Sequence, residues 1–263
     1  MDLIENRSDV ERHFSKWHGS DNLEGYTFVE NRYAPFTPAR RALPMLNLAL
    51  ISSAGAYIDG TNPFDIESWD GDISYREIPV EVEASDLLFT PRGYDAAAVN
   101  EDINSQIPLE RLLEYEENAV IGKVNSVWWS LSGYIQNAAL VADELAPVLT
   151  ERLNRHEVQA ALLIPASRLC HQTLGIVARA VEQANIPTIM LSVDRDITDL
   201  VRPPRTAYYV GETGSVAGKA KWPEHQRRIL DETLRWIETF DQPGVRKLAV
   251  KLETETEMAR GER

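Results

Sequence analysis

The stretch Val158-Gln159-Ala160-Ala161-Leu162-Leu163-Ile164-Pro165, followed by Leu169 to Asn185 and then Ile186-Pro187-Thr188-Ile189-Met190-Leu191-Ser192-Val193, decides the fold. Two short apolar runs flank a segment of helical length. A strand, a helix and a strand with short connections make a right-handed parallel crossover. Runs that are apolar on both faces belong to strands covered by helices on each side. The expected class is therefore α/β, with Rossmann-like parallel sheets, flanking helices and two lobes.

Toward the N-terminus, Gln136 to Arg155 reads as an amphipathic helix, with Leu140, Leu145, Val148, Leu149 and Leu153 near helical spacing. Lys123 to Trp129 reads as a strand, and adjacent Trp128 and Trp129 must point to opposite faces of it. Pro108 opens a helix through about Asn118, since proline in a first turn sacrifices no needed N–H. Before it lies a loop, Pro91 to Gln106, preceded by strands at Asp86-Leu87-Leu88-Phe89-Thr90 and Ile73 to Pro79. Leu46-Asn47-Leu48-Ala49-Leu50-Ile51 is the first buried strand, stopped by the small residues Ser52-Ser53-Ala54-Gly55-Ala56. Residues 1–44 form an N-terminal arm: a helix around Asp9 to Trp17, then a strap punctuated by Pro35 and Pro38. Beyond the crossover come a strand at Ala207 to Val210, a loop from Gly211 to Gly218 and a helix from Pro223 to Phe240. The expected division is the arm, a first α/β lobe at 45–135, a second at 136–244 containing the crossover, and a charged tail at 245–263.

The 263 residues carry 41 acidic and 27 basic side chains, a net charge of −14. Nucleic-acid phosphates and anionic membrane surfaces repel such a chain, so neither is expected as a partner. No apolar run approaches the roughly 20 residues that span a bilayer. The polar start Met1 to Asn6 lacks the basic-then-apolar order of a secretory signal. A soluble, cytoplasmic protein is expected. Cys170 is the single cysteine, which rules out an internal disulfide and a multi-cysteine metal site.

Ligands of open α/β sheets bind beyond the carboxyl ends of the strands. In the crossover that edge is Pro165-Ala166-Ser167-Arg168-Leu169-Cys170-His171-Gln172-Thr173. Cys170 falls in the first turn of a helix, where free N–H groups and the positive dipole end favour thiolate over thiol; Arg168 and His171 add to that expectation. The structural alternative is a small buried hydrophobe. Gly211, Gly214 and Gly218 precede Lys219, but the spacing and Ala220 fail the phosphate-loop pattern. The acidic run Asp59, Asp65, Asp70 and Asp72 lacks calcium-loop spacing. His13, His18, His156 and His225 show no paired ligand spacing. No metal or cofactor is expected.

The blocks around this edge are similar to a known family. Leu163 to Gly175, continuing through Ala178-Arg179 and Ile186-Pro187-Thr188, resembles the selenoprotein B family of glycine, sarcosine, betaine and D-proline reductases. Ala34 to Pro38, Gly71 to Pro79, Tyr94-Asp95, Asp102 to Asn104, Pro108 to Leu112, Gly122, Gly133-Tyr134 and Pro203 to Arg205 follow in the same order, so the resemblance covers about residues 34–244. It implies reductive cleavage of a bond in a small amino-acid-like or amine substrate, together with a partner reductase subunit or thiol donor. The family's cysteine falls on Cys170 and its selenocysteine on Ser167. A serine forms neither a selenide-sulfide nor a disulfide, and its alkoxide is a poor redox nucleophile. Arg168 stands where many relatives carry proline. Ser167 is then a replacement for selenocysteine or cysteine, or Cys170 works alone with a partner thiol resolving the adduct, or the fold has lost the reaction and kept a pocket.

The expected site draws on Ser52–Gly55, Tyr94–Asn104 and Ser167–Thr173. Cys170 is the nucleophile, His171 tunes or protonates it, and Ser167 with the helix N–H groups holds an anionic group. Ser53, Gly55, Tyr94, Asp95, Asp102, Asn104 and Thr173 line the substrate. The competing readings are a non-catalytic ligand-binding or accessory subunit, and a racemase or lyase using Cys170 as a thiolate base. A homo-oligomer stays open.

Overall fold

Asn47–Ser52 forms β1, and all six of its residues are buried. Leu48 and Leu50 pack into the core on one face of the sheet while Ala49 and Ile51 pack into the core on the other, as the two-residue period of a strand requires. The computed structural model describes residues 1–19, 22–250 and 260. In chain order its strands are β1, β2 (Ala56–Ile58), β3 (Tyr75–Pro79), β4 (Leu87–Phe89), β5 (Lys123–Val124), β6 (Val127–Leu131), β7 (Ala160–Ile164), β8 (Thr188–Ser192), β9 (Arg205–Tyr208) and β10 (Gly244–Lys247). The helices are α1 (Arg7–Phe14), α2 (Ala97–Glu101), α3 (Leu109–Glu117), α4 (Ala138–Leu140), α5 (Ala146–Arg155), α6 (Arg168–Gln183), α7 (Arg195–Val201) and α8 (Pro223–Thr239).

The main sheet runs β10-β9-β8-β7-β1-β6-β3, with β5 also on β1. Every pairing in it is parallel except the antiparallel β3–β6 edge. Helices cover both faces: α3 and α8 pack on one, α5 and α6 on the other. The α/β class therefore holds, but residues 45–135 and 136–244 share one sheet in place of two. Strand β1 takes β7 on one side and β5 and β6 on the other and so joins the two stretches into that sheet, while β2 and β4 pair antiparallel in a separate two-stranded sheet.

Several local readings need correction. The helix expected over Gln136 to Arg155 starts at Ala138 and widens into a π turn at Val141–Leu145 before α5. Pro147 has no N–H to donate and sits two residues past that turn. The expected strand at Lys123 to Trp129 is two strands, because the Asn125 side chain binds the His156 carbonyl at 3.1 Å and breaks the ladder. Trp128 and Trp129 do face opposite ways, and both are core, one on each side of the sheet. The loop Pro91 to Gln106 contains α2, and the stretch expected as tail begins with β10, paired in parallel with β9. The remainder of the tail, 251–259 and 261–263, lies outside the described residues.

The arm is bound through α6. Gln172 accepts the Val29 N–H (2.8 Å) and donates to the Tyr26 hydroxyl (2.8 Å). Fully buried Arg179 donates to the carbonyls of Tyr33, Arg202 and Asp2. Glu182 accepts the Thr37 N–H (2.6 Å) and pairs with Arg205 (2.5 Å), which also donates to the Thr37 carbonyl. The strap thus satisfies buried charges that would otherwise be costly.

Candidate functional site

From β1 the chain crosses to β6 on one side, and from β7 it continues outward to β8, β9 and β10 on the other. Loops that depart in opposite directions from adjacent parallel strands open a crevice at the carboxyl ends. Ser52–Gly55 leaves β1 there, and Pro165–Ser167 leaves β7 to start α6.

Ser167 is the N-cap of α6. Its hydroxyl accepts the Cys170 N–H at 3.3 Å and donates to the Cys170 sulfur at 3.0 Å. The Cys170 thiol donates to the carbonyls of Ser53 (3.7 Å) and Ser132 (3.9 Å). Both side chains are wholly buried. Burial pushes the Cys170 thiol up, and the hydrogen bonds from Ser167 and Ser53 only oppose that rise. The expected lowering by the helix N-terminus is overturned: loss of water outweighs the dipole, and Arg168 points to solvent toward Asp194 (3.6 Å).

His171 is buried on the adjacent position but does not serve the thiol. Its Nδ1 lies 2.7 Å from the Ser167 carbonyl and must carry the proton, leaving Nε2 to accept the Val193 N–H at 3.2 Å. Burial holds its pKa below the ordinary range, so the ring is a neutral backbone tie.

The other expected residues divide into two sets. Ser53, Gly55, Tyr94 and Thr173 gather at the crevice. Ser53 Oγ accepts the Ala166 N–H (3.0 Å), Thr173 donates to the Gly133 carbonyl (2.7 Å), and Tyr94 donates to the Ala54 carbonyl (2.7 Å). Gly55 has φ +67, and a Cβ there would stand 2.6 Å from the Thr90 carbonyl oxygen. Burial, and next the nearby Cys170, hold the Tyr94 phenol protonated. Asp95, Asp102 and Asn104 are occupied elsewhere. Exposed Asp95 accepts the Ala97 N–H at the start of α2. Asp102 accepts N–H groups of Asn104, Lys221 and Gln226, which hold its carboxyl below the ordinary range against burial. Asn104 accepts the Glu110 N–H. Lys219 lies over the Trp222 ring at 5.5 Å.

Residues absent from the expected site complete the wall. Gly133, at φ +66, brings its backbone so close that a Cβ would lie 2.2 Å from Ser53 Cβ and 2.9 Å from Cys170 Sγ. A Cβ at Gly93 would lie 3.3 Å from Ser167 Cβ and 2.4 Å from the Tyr134 ring. A glycine directly before an aromatic, at Gly93-Tyr94 and again at Gly133-Tyr134, is the local signal for this cover. Among the described residues no His, Cys, Asp and Glu group is arranged to hold a metal ion.

The profile of the glycine/sarcosine/betaine reductase selenoprotein B family matches residues 9–166. The chain belongs to this family. The match ends at the residue before Ser167, so the family assignment rests on the arm, β1 to β7 and the crevice loops. This family member is 26% identical over 209 residues to the D-proline reductase subunit gamma of Acetoanaerobium sticklandii, an alignment covering 80% of this chain and 85% of that one. It is 25% identical over 232 residues to the glycine reductase complex component B subunit gamma of Symbiobacterium thermophilum, covering 84% of this chain and 52% of that one. Identity to the sarcosine reductase complex component B subunit beta of Peptoclostridium acidaminophilum is 26% over 208 residues, covering 74% and 46%. The chain thus spans about half the length of the glycine and sarcosine reductase relatives. No solved structure matches it. Among the described residues no helix is long and apolar enough to cross a membrane.

Proposed function

We propose that this chain is a subunit of a multi-subunit reductase acting on a small amino-acid-like or amine substrate, with Cys170 as its nucleophilic sulfur. One observation carries the reading: the Cys170 thiol, hydrogen-bonded by the Ser167 hydroxyl at 3.0 Å, stands at the carboxyl edge of β7, where ligands of open α/β sheets bind. Ser167 supplies a hydrogen bond and no redox partner, so a thiol from another subunit releases any adduct formed on Cys170. The closed state holds the thiol protonated, so reaction follows an opening that lets water and substrate in. Ser53, Gly55, Tyr94 and Thr173 shape the pocket wall. His171 contributes by fixing the first turn of α6.

A second reading, a non-catalytic binding subunit, is favoured by the complete burial of Cys170. The two separate in one experiment. The full chain is incubated with glycine, sarcosine, betaine and D-proline in the presence of a dithiol, and the Cys170 peptide is followed by mass spectrometry. A substrate-derived adduct, absent in Cys170→Ala, supports the nucleophile. Binding of a substrate with equal affinity by both proteins, with no adduct, supports the second reading.

A further inference from the structure

Strand β10 ends the main sheet, and one of its sides pairs with nothing. The Gly244 N–H donates to the Pro204 carbonyl (3.0 Å) and the Leu248 N–H to the Tyr208 carbonyl (2.8 Å), so alternate residues serve β9 and the main chain of Val245 and Lys247 faces outward. Among the described residues no hydrogen bond reaches either outward N–H. The opposite edge of the sheet is blunted, because β3 ends in Pro79, which has no N–H to give. Beside β10 lies a cleft of about 670 Å³, walled by Arg32 and Tyr33 of the arm and by Arg195 and Arg202 at the two ends of α7. Arg195 pairs with Asp199 at 2.7 Å, and Arg202 donates to the Arg32 carbonyl at 3.0 Å. Among the described residues neither Arg32 nor Arg202 forms an ion pair, and Glu5 on this side of the arm is taken by the N–H groups of Arg32 and Tyr33 (3.0 and 3.1 Å). Buried Arg179 adds a charge beneath, donating to the Tyr33 and Arg202 carbonyls. Arg246 lies over the Phe240 ring of the α8 side at 4.1 Å, which places Val245 and Lys247 on the α7 face, with Val245 in the cleft wall.

We propose that the open edge of β10 is an interaction surface that takes an extended acidic segment of another polypeptide as an added strand. Such a strand satisfies the outward main-chain groups of Val245 and Lys247, and its side chains alternate between the two faces of the sheet. Those on the α7 face enter the cleft, where carboxylates meet Arg32 and Arg202 in charge-assisted bonds. In a chain of net charge −14 the same cations also choose the occupant. A second copy pairing β10 with β10 across a two-fold axis brings Arg246 and Lys247 of both strands together, and like charges across a strand pair repel. The surface lies against the first residues of β9 and β10, whereas Ser167 and Cys170 stand at the carboxyl end of β7, so the inference is independent of the reading of that site.

The test is fluorescence anisotropy of the full chain with labelled acetyl-Val-Glu-Thr-Glu-Val-Glu-Thr-amide, with versions carrying Gln or Lys in place of Glu, and with two versions N-methylated at alternate amides. The acidic peptide is expected to bind, the Gln version to bind at least about tenfold more weakly and the Lys version not to bind. One of the two N-methylated versions, the one whose blocked amides face β10, is expected to lose binding. Val245→Pro removes an outward N–H and no bond to β9, and Arg32→Glu reverses a charge whose side chain makes no hydrogen bond among the described residues; each is expected to weaken the acidic peptide by about tenfold or more. No binding of the acidic peptide, equal binding of the Gln version, or full binding of both N-methylated versions overturns the proposal. A dimer in sedimentation equilibrium that Val245→Pro abolishes assigns the edge to a second copy and also overturns it. If Val245→Pro fails to fold, the N-methylated pair and Arg32→Glu still decide.

Discussion

The Ser167 hydroxyl donates to the Cys170 sulfur at 3.0 Å while accepting the Cys170 backbone N–H at 3.3 Å, so one side chain caps α6 and solvates the thiol together. Ser167→Ala removes both bonds. It is expected to destabilise the fold by about 1 kcal/mol, the usual worth of an N-cap, measured by urea denaturation. Ser167→Cys places two thiols in the same relation. Under oxidised dithiothreitol it is expected to close a disulfide and lose both titratable thiols, whereas the wild-type chain, with its single cysteine, keeps one.

Cys170 is held protonated by burial, which sets the sign of its pH effect. The folded state binds the proton more tightly than the unfolded chain, so the contribution to stability is full below the unfolded value of about 8.5 and is lost as pH rises toward the raised folded value. Denaturation midpoints are expected to fall above pH 8.5 in the wild-type chain and to flatten in Cys170→Ala. Iodoacetamide labelling of the native protein at pH 7 is expected to be far slower than labelling in urea; equal rates would show an open thiol.

His171 acts in the opposite sense. Burial lowers its folded pKa, so the neutral ring stabilises the fold above the unfolded value of about 6.5 and this is lost as pH falls through the folded value. Stability measured from pH 7 to pH 5 is expected to drop in the wild-type chain and to drop less in His171→Gln. An imidazole proton resonance that titrates at 6.5 in the native state would refute the assignment.

Glu182 and Arg205 pair with neither side chain exposed. Removing one partner strands the other charge in the core, so Arg205→Met is expected to cost about 3–5 kcal/mol by urea denaturation. Because Glu182 also holds the Thr37 N–H, Glu182→Gln is expected to speed hydrogen exchange at Thr37. Unchanged exchange there would mean the strap is held by other contacts.

Gly133 meets Ser53 and Cys170 at distances that leave no space for a methyl group. Gly133→Ala combines positive-φ strain with overpacking and is expected to destabilise by about 2–5 kcal/mol, read from thermal or urea unfolding. A neutral result would show that the crevice floor can relax.

The crossover was legible because both of its signals are local. The runs at 158–165 and 186–193 are apolar on both faces and contain β7 and β8, and α6 matches the helix expected over Leu169 to Asn185 to within two residues. Edges were not. β10 contains one apolar residue, Val245, and becomes a strand only because β9 offers its free side. The seven-residue α7 was missed although Asp194 caps it, since a single capping aspartate also reads as a turn. In the site, Asp102 and Asn104 have the composition of a substrate clamp and the geometry of helix and loop ties. Residue type alone does not separate those uses.

The sequence by itself determined the α/β class, the placement of Cys170 in the first turn of α6, and the likeness to the reductase family. Only the tertiary structure decided the state of the thiol. Its desolvation depends on Ser53, 117 residues away, on Ser132, 38 residues away, and on the close backbone at Gly133. A helix N-terminus lowers a thiol pKa where water remains and burial raises it where water is excluded, and which of these holds is set by segments that meet only in the folded chain.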